Sequence, residues 1–179
     1  MISSSSLTVS DDRFGAWVCG DRQVMAARPG TLSGLPIGVK DVIATRDYPT
    51  RCGTELPRAV IQALLGKDEA DCVSDLRQAG ALVAGKTVTA ELATYQPGNT
   101  VNPLSVARSP GGSSSGSAAA VAAGDVRLAL ATQTAGSTIR PASYCGLYGF
   151  KPSYDRYALA GVLATSPTLD TLGLIADEL

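Results

Sequence analysis

The sequence predicts an α/β fold: a mixed, largely parallel sheet core flanked by helices. Three observations carry this. Short β-branched or apolar runs alternate with amphipathic or small-residue segments. Glycine or proline punctuates most of the junctions. The 179 residues are enough for a core of their own, since a domain of that size buries about two-thirds of its unfolded surface without disulfide or metal.

The elements follow in order. Residues 35–44 (LPIGVKDVIA) are apolar around one charged pair and predict a strand ending near Lys40 and Asp41. Residues 46–66 hold Pro49, Gly53 and Pro57 and read as loop. In 68–79 the apolar positions Ala70, Val73, Leu76 and Ala79 recur every three residues, with an aspartate to begin the turn and Gly80 to stop it, which predicts a helix. Residues 81–84 (ALVA) read as a buried strand, and a threonine at 87 or 89 can cap a short helix through Glu91 and Leu92. Residues 97–112 form a loop. Residues 117–123 (SAAAVAA) predict a small-residue helix closed by Gly124. Strands follow at 126–132, 147–150 and 172–176, with a helix after Gly136. Residues 1–33 are assigned to a tail and lead-in segment and 34–179 to the core. Met1 to Asp12 has no basic segment before an apolar one, so it reads as a mobile polar tail and not as a signal peptide.

Composition removes several functions. Fifteen basic and sixteen acidic side chains give a net charge of −1, with no excess to draw nucleic acid or an anionic membrane. No apolar run reaches the ~18 residues of a membrane span. Cys19, Cys52, Cys72 and Cys145 form no C-x-x-C pair and read as free thiols in a reducing cytoplasm. There is no histidine. Ser-His-Asp and Cys-His catalysis are excluded, as is any zinc site that needs imidazole. A base acting near pH 7 must then be a carboxylate, thiol, tyrosine or depressed lysine.

Three motifs compete. Gly80 to Thr87 satisfies G-x-x-x-x-G-K-T, but its inner residues are apolar and a helix precedes it. Helix, glycine, core strand is the simpler reading, and nucleotide binding stays a minor alternative. Gly112 to Gly116 satisfies G-x-S-x-G, whose serine needs an absent histidine; a flexible connector is the other reading. The third is a set of parts: Lys40 at a strand end, the Gly/Ser stretch Gly111–Gly116 opening a helix, and Thr134-Ala135-Gly136-Ser137 between a strand and a helix. Glycine beside serine permits a sharp turn, and successive amides there can face one oxyanion. Of the four lysines, Lys67 reads as solvated, Lys86 and Lys151 as snorkelling surface residues, and Lys40 as the candidate for burial.

From residue 34 to residue 176 the chain resembles the amidase signature family, the serine hydrolases that use Ser-Ser-Lys. The resemblance rests on GLPIGVKDV, AGKT followed by Glu91, SPGGSSSGSAAAVAAG, ATQTAGSTIRPASYCGLYGFKPS and SPTLDTLG, in family order and at family spacing. It implies Ser137 as nucleophile, Ser113 as a bridging serine in a cis peptide, and Lys40 as base. It implies an oxyanion hole of the backbone amides of Thr134, Ala135, Gly136 and Ser137. Lys86 receives no catalytic role. The implied activity is hydrolysis of a small-molecule carboxylic amide without metal or cofactor. A non-catalytic remnant and an amide-transfer subunit of the aminoacyl-tRNA amidotransferase type are the alternatives. A depression of ~3 units would cost the fold roughly 4 kcal/mol and make Lys40 a working base.

The chain departs from the family at named positions. Ser115 and Ala135 stand where glycine is usual, so a positive φ at either would strain its loop. Gln133 stands where aspartate is common, and Arg140, after Thr138, comes one residue late; a Gln133–Arg140 hydrogen bond is expected in place of an Asp-Arg pair. Family members run to more than twice this length. The chain therefore reads as truncated at its C-terminus, with a last strand that leaves an apolar face open to self-association.

Overall fold

The computed structural model describes residues 12–20 and 28–179, so most of the segment read as a tail, residues 1–11, lies outside the described residues. Among the described residues six strands form one sheet in the order β1-β3-β2-β4-β6-β5. They are β1 (Trp17–Gly20), β2 (Pro36–Lys40), β3 (Leu82–Thr87), β4 (Leu128–Gln133), β5 (Tyr148–Phe150) and β6 (Thr171–Ala176). β2 runs parallel to both β3 and β4, and the remaining three pairings are antiparallel. Among the described residues the helices are α1 (Arg58–Leu65), α2 (Asp71–Gln78), α3 (Ser115–Ala122) and α4 (Ile139–Tyr144), with a 3-10 turn at Glu91–Ala93. The fold is the mixed α/β sheet with flanking helices that the sequence predicts, with the parallel share confined to β2 and its two neighbours and not extending over most of the sheet as expected.

Two elements differ from expectation. Residues 58–65 form α1, not loop. Pro57 sets the backbone just ahead of the helix and Gly66, at φ 68°, ends it in the left-handed region, a start-and-stop pair that is legible in the sequence. β1 pairs with β3 through Trp17, Cys19 and Gly20 and extends the sheet into the lead-in segment.

The core lies on both faces of β2 and β4. Ile37, Val39, Ile43, Val73 and Leu130 cluster on one side; Ala118, Ala119, Ala120, Ala129, Ala131 and Ile175 cluster on the other. Every α3 residue from Ser115 to Val121 is buried, so this helix carries no polar face and sits in the interior. Its small side chains let it approach the sheet closely. A Cβ on Gly116 would stand 2.2 Å from the Val88 amide and 2.3 Å from the Ala16 carbonyl, both backbone. Only glycine fits that crossing.

The Gly80–Thr87 motif is not a phosphate loop. Its residues from Leu82 onward are β3, held between β1 and β2, so their amides serve the ladder. Lys86 is also not a surface residue: it is fully buried. Gly112–Gly116 is not a connector either, because its last two residues begin α3 and Ser113 and Ser114 are buried. β6 lies inside the sheet, between β4 and β5, and is mostly buried, so the last strand does not leave the open apolar face expected of it. The outer strand β5 leaves Tyr148 and Phe150 half exposed. Among the described residues no helix is long and apolar enough to cross a membrane.

Candidate active site

β2 and β4 run in parallel, and their carboxyl ends bring together the residues singled out by the sequence. Lys40 is the last residue of β2, and β4 leads at Gln133 into the stretch from Thr134 to Thr138. That end of parallel strands is where open α/β sheets form ligand sites. Lys40 is fully buried, and its Nζ donates to Ser113 Oγ at 2.8 Å and to Thr132 Oγ1 at 2.8 Å. Burial pushes its pKa down from 10.5 to about 7, against the opposing pull of Asp170. A folded pKa below the unfolded one means burial costs the fold most below pH ~7. That cost fades as the pH climbs toward the free-lysine value. Its size is on the order of 5 kcal/mol.

Ser113 is fixed from several sides. Its carbonyl accepts the Ala90 amide at 2.9 Å, and the Gly112–Ser113 peptide is cis, as the resemblance implies. Ser114 donates from Oγ to the Thr132 carbonyl at 3.4 Å. Arg140 donates from Nε and Nη2 to the Gly112 carbonyl at 3.1 and 2.8 Å, tying α4 to this turn. Ser137 lies alongside: its carbonyl accepts the Ser114 amide at 3.3 Å. The Ser113 hydroxyl accepts from Lys40 and is not hydrogen-bonded to the Ser137 hydroxyl.

The amides of Ala135, Gly136 and Ser137 donate to no group among the described residues. Those of Thr138 and Ile139 do: both go to Gln133 Oε1 at 2.9 Å. The expected Gln133–Arg140 hydrogen bond is therefore absent. The Gln133 oxygen serves the first turn of α4, and Arg140 reaches outward to Gly112. Nor do Ser115 and Ala135 strain the backbone. Among the described non-glycine residues, positive φ occurs at Cys52, Leu92, Ala93 and Asp155.

Two charged features were not singled out by the sequence. Asp41 is fully buried next to Lys40 in the chain. It accepts the amides of Arg51 and Gly53 and stands 3.9 Å from Lys86 Nζ. Lys86 also donates to the Ile43 carbonyl and, at 2.8 Å, to Thr50 Oγ1. Burial holds the Lys86 pKa down, at about 8, and raises that of Asp41. The available signal was a lysine and an aspartate in apolar strand segments, which must be paired if buried. The second feature is Asp170, buried ahead of β6 and bonded to the Thr134 hydroxyl. Among the described residues, no group of three histidine, cysteine, aspartate or glutamate side chains is arranged to hold a metal.

The family model described as Amidase matches residues 19–179. The A subunit of glutamyl-tRNA(Gln) amidotransferase from Anaeromyxobacter dehalogenans is 37% identical over 197 residues, covering 98% of this chain and 39% of the relative. The crystal structure of the A subunit of the same amidotransferase from Thermotoga maritima superposes with a TM-score of 0.81 at 33% identity, covering 93% of this chain and 37% of that one. The native peptide amidase of Stenotrophomonas maltophilia superposes with a TM-score of 0.74 at 34% identity, covering 83% of this chain and 32% of that one. The chain thus spans about two fifths of the length of the curated relative.

Proposed function

The chain belongs to the amidase signature family, and from that premise we propose that it hydrolyses a small-molecule carboxylic amide through an acyl-enzyme on Ser137. The observation that carries the reading is the buried Lys40 amine on Ser113 Oγ, with a pKa near neutrality. A lysine at 10.5 is almost wholly charged at pH 7 and is no base; at about 7, half of it is neutral.

Neutral Lys40 takes the Ser113 proton as Ser113 takes that of Ser137. The Ser137 oxygen attacks the amide carbon, and the amides of Thr134 to Ser137 hold the oxyanion. The relayed proton returns to the leaving amine, the C–N bond breaks, and water then releases the acid. The relay as drawn uses neither metal nor cofactor. We place the protein in the cytoplasm, in keeping with four unpaired cysteines, and propose the half-exposed Tyr148–Phe150 edge of β5 as a surface for self-association.

Two other readings remain in the proposal. The names of the relatives favour an amide-transfer role within a larger complex, and glutamine hydrolysis that rises only with partner proteins selects it. A retained but inactive core is selected by intact folding without turnover. The testing experiment is a pH profile of hydrolysis over a panel of small amides. Protonated Lys40 cannot accept a proton, so kcat is expected to climb with pH through about 7 and level off above it. A rate flat from pH 5 to 9 contradicts a lysine base.

A further inference from the structure

Asp170 is buried at the entrance to β6, and both of its oxygens are engaged. Oδ1 accepts the Thr134 hydroxyl, and Oδ2 accepts the amides of Thr165 and Ser166 at 2.7 Å each. Thr134 opens the stretch whose next three amides are unengaged among the described residues. The strand register explains the meeting: Thr132 pairs with Leu172 and Gln133 with Thr171, which sets residue 134 opposite residue 170. On the same strand, Thr132 Oγ1 receives the second hydrogen bond of Lys40. Three functional parts therefore converge on β4 and the residue after it.

We propose that Asp170 is a positioning residue for the acyl-transfer site: its carboxylate anchors the loop that carries the oxyanion donors through Thr134. The inference rests on the hydrolase reading above. A loop held by one hydroxyl and a carboxylate locked by two amides keeps the oxyanion donors aimed before substrate arrives, as preorganised stabilisation requires.

The test uses the 179-residue chain and a fluorophosphonate probe, with the labelling rate as the readout and circular dichroism to confirm folding. In Asp170→Asn the rate is expected to fall on the order of 10–100-fold, as misplaced catalytic donors do. In Thr134→Val the rate is expected to fall likewise, and Thr134→Ser to restore it. Wild-type rates in Asp170→Asn and Thr134→Val overturn the proposal, and so does a Thr134→Ser that stays as slow as Thr134→Val. If Asp170→Asn does not fold, the threonine pair decides: loss in valine with rescue by serine supports anchoring, and a wild-type rate in valine overturns it. An unlabelled wild-type chain removes the hydrolase reading itself, and this inference with it.

Discussion

Lys40→Ala is expected to lower kcat for amide hydrolysis about 10²–10⁴-fold, the range supplied by a positioned proton acceptor. Lys40→Arg should be equally inactive. Arginine keeps the positive charge and can still donate to Ser113 and Thr132, but it cannot lose its proton near neutral pH. The pair of variants separates two roles for Lys40. If charge alone oriented Ser113, arginine would retain most of the activity; if Lys40 is the base, both variants lose it. Steady-state kinetics on the amide that the wild-type chain turns over fastest, with circular dichroism to confirm folding, is the check.

The second large effect falls on stability. Lys86→Met leaves Asp41 fully buried without its cation, and breaking one side of a buried pair costs about 3–5 kcal/mol. The expected result is a clear drop in the urea midpoint. The double variant Lys86→Met with Asp41→Asn should recover part of the loss, since the unpaired charge is gone and only hydrogen bonds remain unmade. Asp41 also holds the amides of Arg51 and Gly53, so the pair fixes the segment that leaves β2 immediately after Lys40. A double variant no more stable than Lys86→Met would contradict the pairing.

Much of this site is legible in the chain because its parts are local. Lys40 ends an apolar run, Ser113 and Ser114 open a small-residue helix, and Thr134 to Ser137 fall between a strand and a helix; each needs only its neighbours to be recognised. The missing histidine narrows the base further. Partners that meet across strands are a different matter. Lys86 reads as a surface lysine in sequence because nothing nearby shows that β3 is an interior strand flanked by β1 and β2. Asp41 and Lys86 are 45 positions apart by their numbering, and only the parallel register of β2 with β3 brings them together. Asp170 reaches Thr134 through the antiparallel register of β4 with β6. Gln133 shows the same limit within a short span. A side chain able to bond Arg140 bonds instead to the free amides of a helix start, and residue type alone does not reveal which acceptor is closer.

The strain expected at position 115 is absent for a related reason. Serine in place of glycine is costly only where φ is positive, and here Ser115 is the first residue of α3. The backbone of this loop therefore tolerates a side chain that the family pattern does not lead one to expect.

If Ser137 is the nucleophile, a fluorophosphonate attaches there and depends on Lys40 to do so. Peptide mass spectrometry of the labelled wild-type chain should place one adduct on Ser137, absent from Lys40→Ala treated in parallel. An adduct on Ser113 or another serine, or one on Ser137 that persists undiminished without Lys40, would contradict the account.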